Sequence, residues 1–131
     1  MSTTTPLVTG VDFVMMPTQD YPAAVEFYGT VLGLPRVAEY GGDRGSEFET
    51  GNLTIQVMDV GTIGMEFAPQ PFPLALQVDD VHAAQAELEA RGVTFAPQLI
   101  DSGVCHMALF RDPDGNALML HHRYAPRTSA G

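Results

Sequence analysis

The amino-acid sequence predicts an α+β domain built from two copies of a βαβββ unit. Three observations predict it. One order of elements, namely strand, Asp-capped helix, Gly stop and three strands, runs twice along the chain. The short apolar runs are bounded by Gly, Pro, Asn and Asp, as strands between turns are. Matching landmarks lie about 60 residues apart, the length of one supersecondary unit with a face to bury.

The first copy opens on Val11–Met16, "VDFVMM", short and apolar enough for a strand. Asp20 is a good N-cap, because its carboxylate can accept from a first-turn N–H. Pro22 lies in that turn, where a missing N–H costs nothing. In "YPAAVEFYGTVLG", Ala24, Phe27, Tyr28, Val31 and Leu32 share one helical face. Gly33 suits the left-handed position after the helix, and Pro35 blocks its continuation. Extended pieces follow at about 36–41, 46–50 and 53–59, separated by Gly and Asp.

The second copy opens on "PLALQV", residues 73–78. Asp80 caps a helix, "VHAAQAELEARG", that buries Val81, Ala84 and Leu88 and stops at Gly92. Extended pieces follow at about 93–98, 104–110 and 117–123. Asp20 answers Asp80, Gly33 answers Gly92, and "GNLTIQV" (51–57) answers "GNALMLH" (115–121). Residues 1–131 therefore read as one domain. Module one spans about 8–60 and module two about 73–124. The Gly- and Pro-rich linker, about 60–72, has no element of its own, and 125–131 form a flexible tail. Each helix covers one face of its sheet. The two uncovered faces, side by side, make a curved open trough that can hold a ligand.

Composition narrows the partners. The 131 residues are 45% hydrophobic and 17% charged, an ordinary globular balance. The formal net charge is −10, from 16 acids against 6 bases, and every base is arginine. Such a chain repels phosphate backbones and anionic membranes, which argues against nucleic-acid and membrane partners. No apolar run reaches the roughly 18–20 residues that cross a bilayer. The opening "MSTTTPLVTG" has neither the basic start nor the apolar stretch of a signal peptide. The single Cys105 leaves no disulfide framework and no cysteine-built zinc site. The expected compartment is the cytoplasm.

Three segments carry a family resemblance: "AAVEFYGTVLGLP" (23–35), "ALQVDDVHAAQAELEARGV" (75–93) and "LFRDPDGNALML" (109–120). With the FY-x3-LG helix end and the late DPDGN turn, the chain resembles the vicinal oxygen chelate superfamily. That group includes glyoxalase I, bleomycin resistance proteins and extradiol dioxygenases. The resemblance implies paired βαβββ modules, a homodimer, and a divalent metal that grips adjacent substrate oxygens in the trough. Its metal-ligand positions fall here on Phe13, Pro73, Met119 and Ile55 or, with a one-residue slip, Gln56. Phe, Pro and Ile do not ligate a hard cation, and Met is a soft ligand. The expectation is thus a trough without cofactor, an atypical divalent metal being the alternative.

Alternation from Met119 puts Ala117 and His121 on the trough face, and Leu118, Leu120 and His122 on the other. The adjacent histidines therefore point apart and do not chelate one ion. The parity that the resemblance implies adds Met15, Ala75, Gln77, Cys105, Met107 and Leu109 to the ligand-facing set with Phe13 and Ile55. His121 has two readings: a polar rim residue, or a ligand-orienting donor and general base near pH 7. His106 should lie across the hairpin from His122, as a hydrogen-bonded pair or as a metal pair with Asp101. His82 shares an exposed helix face with Gln85 and Glu89.

Two functions fit these residues. The first is a metal-free protein that holds a small, largely apolar or aromatic molecule, as bleomycin resistance proteins sequester a drug. The second is an enzyme of the same fold with lyase, isomerase or oxygenase chemistry, His121 serving as acid or base.

Overall fold

The computed structural model describes residues 5–42 and 44–127. Residues 128–131, most of the expected tail, lie outside the described residues.

Module one begins with β1 (Phe13–Thr18) and α1 (Tyr21–Glu26). Asp20 caps α1 as expected, accepting from the Ala23 N–H at 3.2 Å. The helix then widens into a π-turn over Phe27–Val31, where the Leu32 N–H reaches back to the Phe27 carbonyl at 2.8 Å. Gly29 lies in that turn. A Cβ there would come within 3.3 Å of the Phe48 ring, so a hydrogen is what lets helix and sheet approach. Then come β2 (Arg36–Tyr40), β3 (Gly45–Glu49), β4 (Thr54–Asp59) and a short 3₁₀ turn at Val60–Ile63, an element the linker was not expected to hold.

Module two repeats the plan with β5 (Leu74–Gln77), α2 (Val81–Ala90), β6 (Ile100–Asp101), β7 (Cys105–Arg111) and β8 (Ala117–Arg123). Asp80 caps α2 through the Ala83 N–H at 3.1 Å, and Gly92 closes it at φ +95°. The expected strand over 93–98 shrinks to a single bridge, Phe95 to Phe110, with two-residue β6 beyond it. Pro97 explains the loss: it has no N–H to donate to a ladder.

The strands form two open four-stranded sheets, ordered β1-β4-β3-β2 and β5-β8-β7-β6. In each, the outer first strand runs parallel to the last strand, and the remaining pairs are antiparallel. The edges β1 and β5 do not pair with each other among the described residues, so the trough is not one continuous sheet within the chain.

A shared core joins the modules. Tyr28, Phe48, Ile55 and Val57 from module one cluster with Phe95, Phe110, Leu118 and Leu120 from module two. Burying each such side chain is worth about 1.5–3 kcal/mol. The DPDGN turn locks the joint. Asp112 accepts from the Tyr28 hydroxyl at 2.7 Å, linking the two motifs that carried the family resemblance. Burial, and then the Asp112 charge, push the Tyr28 phenol far above its ordinary range. The fully buried Asn116 amide donates to the Pro17 carbonyl and to Asp112, and accepts from the Gln70 N–H. Among the described residues, no helix is long and apolar enough to cross a membrane.

Candidate functional site

Ladder register decides which side chains share a face. In the second sheet, Leu118 and Leu120 belong to the core, so their in-strand alternates Ala117, Met119, His121 and Arg123 face away from it. The β7–β8 register runs unbroken from Arg111–Ala117 to Cys105–Arg123, with no bulge to invert the alternation. Eight sequence-predicted residues thus meet on one open face: Ala75, Gln77, Cys105, Met107, Leu109, Ala117, Met119 and His121. Phe13 and Met15 lie on the open face of the other sheet.

Ile55 does not join them. It is fully buried in the core, and the open-face residue is Gln56, in register with Met15 and Glu47. The cause is loop length. Residues 50–53 join β3 to β4, whereas 112–116 join β7 to β8, one residue more. Matched directly, the "GN" pairs would set Ile55 opposite Met119. Leu53, however, intervenes between Asn52 and β4, whereas β8 starts directly after Asn116, so by strand position Gln56 is the counterpart of Met119.

The four positions where the resemblance implies metal ligands are then Phe13, Gln56, Pro73 and Met119. Pro73 precedes β5 rather than standing in it. One neutral amide and one thioether do not suit a hard divalent cation. Among the described residues, no group of three or more His, Cys, Asp or Glu side chains could hold a metal ion.

His121 marks the polar end of the open face. Its register partners are Gln77 on β5 and Met107 on β7. Its carbonyl accepts from the Val78 N–H at 3.0 Å, which fixes the strand. Among the described residues, no side chain hydrogen-bonds its ring, so nothing orients it as a base. His121 and Gln77 also border a cleft of about 730 Å³ along the free edge of β5. The opposite wall comes from Leu32, Leu34 and Leu53 of module one, a contribution that no sequence period reveals. A second hollow, about 700 Å³, lies near the 112–116 turn and shares Leu109, Ala117 and Pro73 with the sequence-derived positions.

Two buried side-chain atoms lack hydrogen-bond partners among the described residues: Gln56 Oε1 and Arg123 Nε. Both residues face the open sides. Alternation carried one step beyond His121 would have found Arg123.

The other histidines gather on the covered side. His106 and His122 are register partners, as expected. The polar neighbour of His106 is Asp101 rather than His122, with Nε2 to Oδ2 at 3.4 Å. His82 is exposed, but its ring stands edge-on to His106 at 5.2 Å. The Tyr124 hydroxyl donates to Asp101 at 2.7 Å. That bond and the Gly103 N–H hold the Asp101 carboxyl below its ordinary range, and the Tyr124 phenol is raised in turn.

The profile of the Glyoxalase/Bleomycin resistance protein/Dioxygenase superfamily matches residues 10–120. A glyoxalase/bleomycin resistance protein/dioxygenase from Nocardioides superposes with a TM-score of 0.77 at 20% identity, covering 97% of this chain and 91% of its own. A lactoylglutathione lyase from Agrobacterium tumefaciens gives 0.72 at 20% identity, covering 88% and 95%. An antibiotic binding protein from Streptomyces sp. CB03234 gives 0.73 at 25% identity, covering 91% and 99%. A search of curated protein sequences finds no match. With the duplicated fold, the FY and DPDGN motifs in contact and the profile matched across both modules, the chain belongs to the glyoxalase/bleomycin resistance protein/dioxygenase superfamily.

Proposed function

We propose that this chain binds a small, largely apolar or aromatic molecule against its open sheet faces, without the divalent metal of its family's enzymes. The observation that carries this reading is the donor set Phe13, Gln56, Pro73 and Met119. Met15, Met107 and Met119 add adaptable apolar surface, which suits ligands of irregular shape. Gln56 adds one neutral amide to this otherwise apolar set. The likeness to an antibiotic binding protein supports the same class.

The enzyme reading rests on His121. It is the weaker one, because a general base is normally oriented by a second group and His121 has no side-chain partner among the described residues. The lone buried Cys105 suits a reducing compartment, and we place the protein in the cytoplasm; fractionation that recovers it elsewhere overturns this.

Two measurements test the binding reading. Metal analysis of purified protein should find no stoichiometric Ni, Zn, Fe or Mn. A thermal-shift screen of aromatic natural products should find stabilising ligands, each adding about 2.7 kcal/mol at 100 times its Kd. Clear turnover of methylglyoxal with glutathione would overturn the reading.

We also propose a homodimer. Among the described residues the edges β1 and β5 are free, and the segment before β1 exposes Leu7 (99%), Val8 and Val11.

A further inference from the structure

We infer that the ligand carries an anionic oxygen group, a carboxylate or a phenolate, and that Arg123 receives it beside His121. This rests on the binding reading above and names the ligand class for the same open face.

Charge is segregated between the two open faces. The four strands of the second sheet hold one acid, Asp101, and it pairs in register with His106 on the covered side. The open face of that sheet therefore carries Arg111, His121 and Arg123 with no carboxylate from its own strands. The open face of the first sheet is the reverse. Its strands place Glu47 and Glu49 there, in register with Gln56 and Thr54, and among the described strand residues add no arginine to it. In a chain with 16 acids and 6 bases, a sheet face to which its own strands add basic residues and no acid is the exception.

Arg123 also differs from Arg36, Arg91 and Arg111. Arg36 pairs with Glu39, Arg91 pairs with Glu87, and Arg111 donates to the Gly115 carbonyl. The Arg123 side chain has no hydrogen bond or ion pair among the described residues, and its Nε is shut off from solvent. A guanidinium N–H in that state lacks the acceptor that water would supply. The backbone beneath it is fixed. Cys105 pairs with Arg123, and the next two N–H groups both donate to the Val104 carbonyl.

The geometry sets an orientation. His121 and Arg123 are alternate residues of one strand, so their Cα atoms lie about 6.6 Å apart. The planar fork of arginine matches two carboxylate oxygens, and a neighbouring imidazole N–H can reach the same group. Toward the turn the face becomes apolar, with Met107 beside His121 and Leu109 beside Met119. An anionic head at Arg123 thus leaves an aromatic body lying over the methionines.

The test uses two matched probes, 2-naphthoate and neutral 2-naphthamide, titrated into the full chain by calorimetry. The expected result is an affinity ratio of about tenfold in favour of the acid, falling as salt is added. In Arg123→Gln the ratio should collapse to about one, and in Arg123→Lys it should recover in part. Equal binding of both probes to the wild type overturns the anion inference and leaves the apolar reading standing. An acid preference that survives in Arg123→Gln overturns the role of Arg123. Failure of both probes to bind overturns the two readings together. If Arg123→Gln does not fold, Arg123→Lys and the salt dependence of the wild-type ratio decide the same question.

Discussion

Tyr28 shows how one residue ties sequence pattern to tertiary structure. On the helix it is one apolar contact among several. In the fold its hydroxyl crosses to Asp112, 84 positions away, in a buried hydrogen bond. Asp112 keeps three other donors, the Asn116 amide and the Asp114 and Asn116 N–H groups. Tyr28→Phe should therefore cost only about 1.5 kcal/mol at neutral pH, read from the urea midpoint. Alkaline pH exposes the same bond. In the unfolded chain the phenol ionises near its ordinary 10.0, whereas the fold keeps it neutral well above that. A raised folded-state value gives stability that is complete below about pH 10 and drains as pH climbs past it. Each such group contributes a slope of about 1.4 kcal/mol per pH unit. Wild type should lose stability more steeply than Tyr28→Phe between pH 10 and 11; equal slopes would contradict the linkage.

Among the elements, the DPDGN turn has the largest consequence. Gly115 takes φ +89°, which frees the chain to fold back so that Asn116 points into the joint. Asn116 then satisfies one carbonyl, one carboxylate oxygen and one N–H, drawn from β1, the turn and the linker. Asn116→Ala strands the buried Pro17 carbonyl and removes the acceptor of the part-buried Gln70 N–H. The expected loss is about 3 kcal/mol, with unfolding remaining a single transition because the joint and the core are one unit. A loss below about 1 kcal/mol would mean that water replaces the amide. The matching loop of module one differs by Leu53, which separates Asn52 from β4, and this is why Gln56 and not Ile55 is the open-face counterpart of Met119.

At the scale of the molecule, the two sheets leave β1 and β5 as free edges among the described residues, and the linker exposes Phe72 to 84%. A second copy would cover such edges and apolar residues. Sedimentation at micromolar concentration should therefore give a dimer of the 14.1 kDa chain. A lone monomer would contradict this.

The sequence by itself determined the elements and their duplication. Asp20 and Asp80 cap the helices, Gly33 and Gly92 end them, and the alternation along β8 holds to its last residue, because each of these depends on neighbours within a few positions. It also showed that the adjacent histidines point apart. Tertiary structure alone decided the π-turn, the loss of strand over 93–98, the burial of Ile55, and the contact of Tyr28 with Asp112. It also decided that Asp101, rather than His122, is the polar neighbour of His106. The physical reason is range. Periodicity reports which way a side chain faces within its own strand, but register across a sheet depends on loop lengths, and polar partners depend on which distant segments the core brings together.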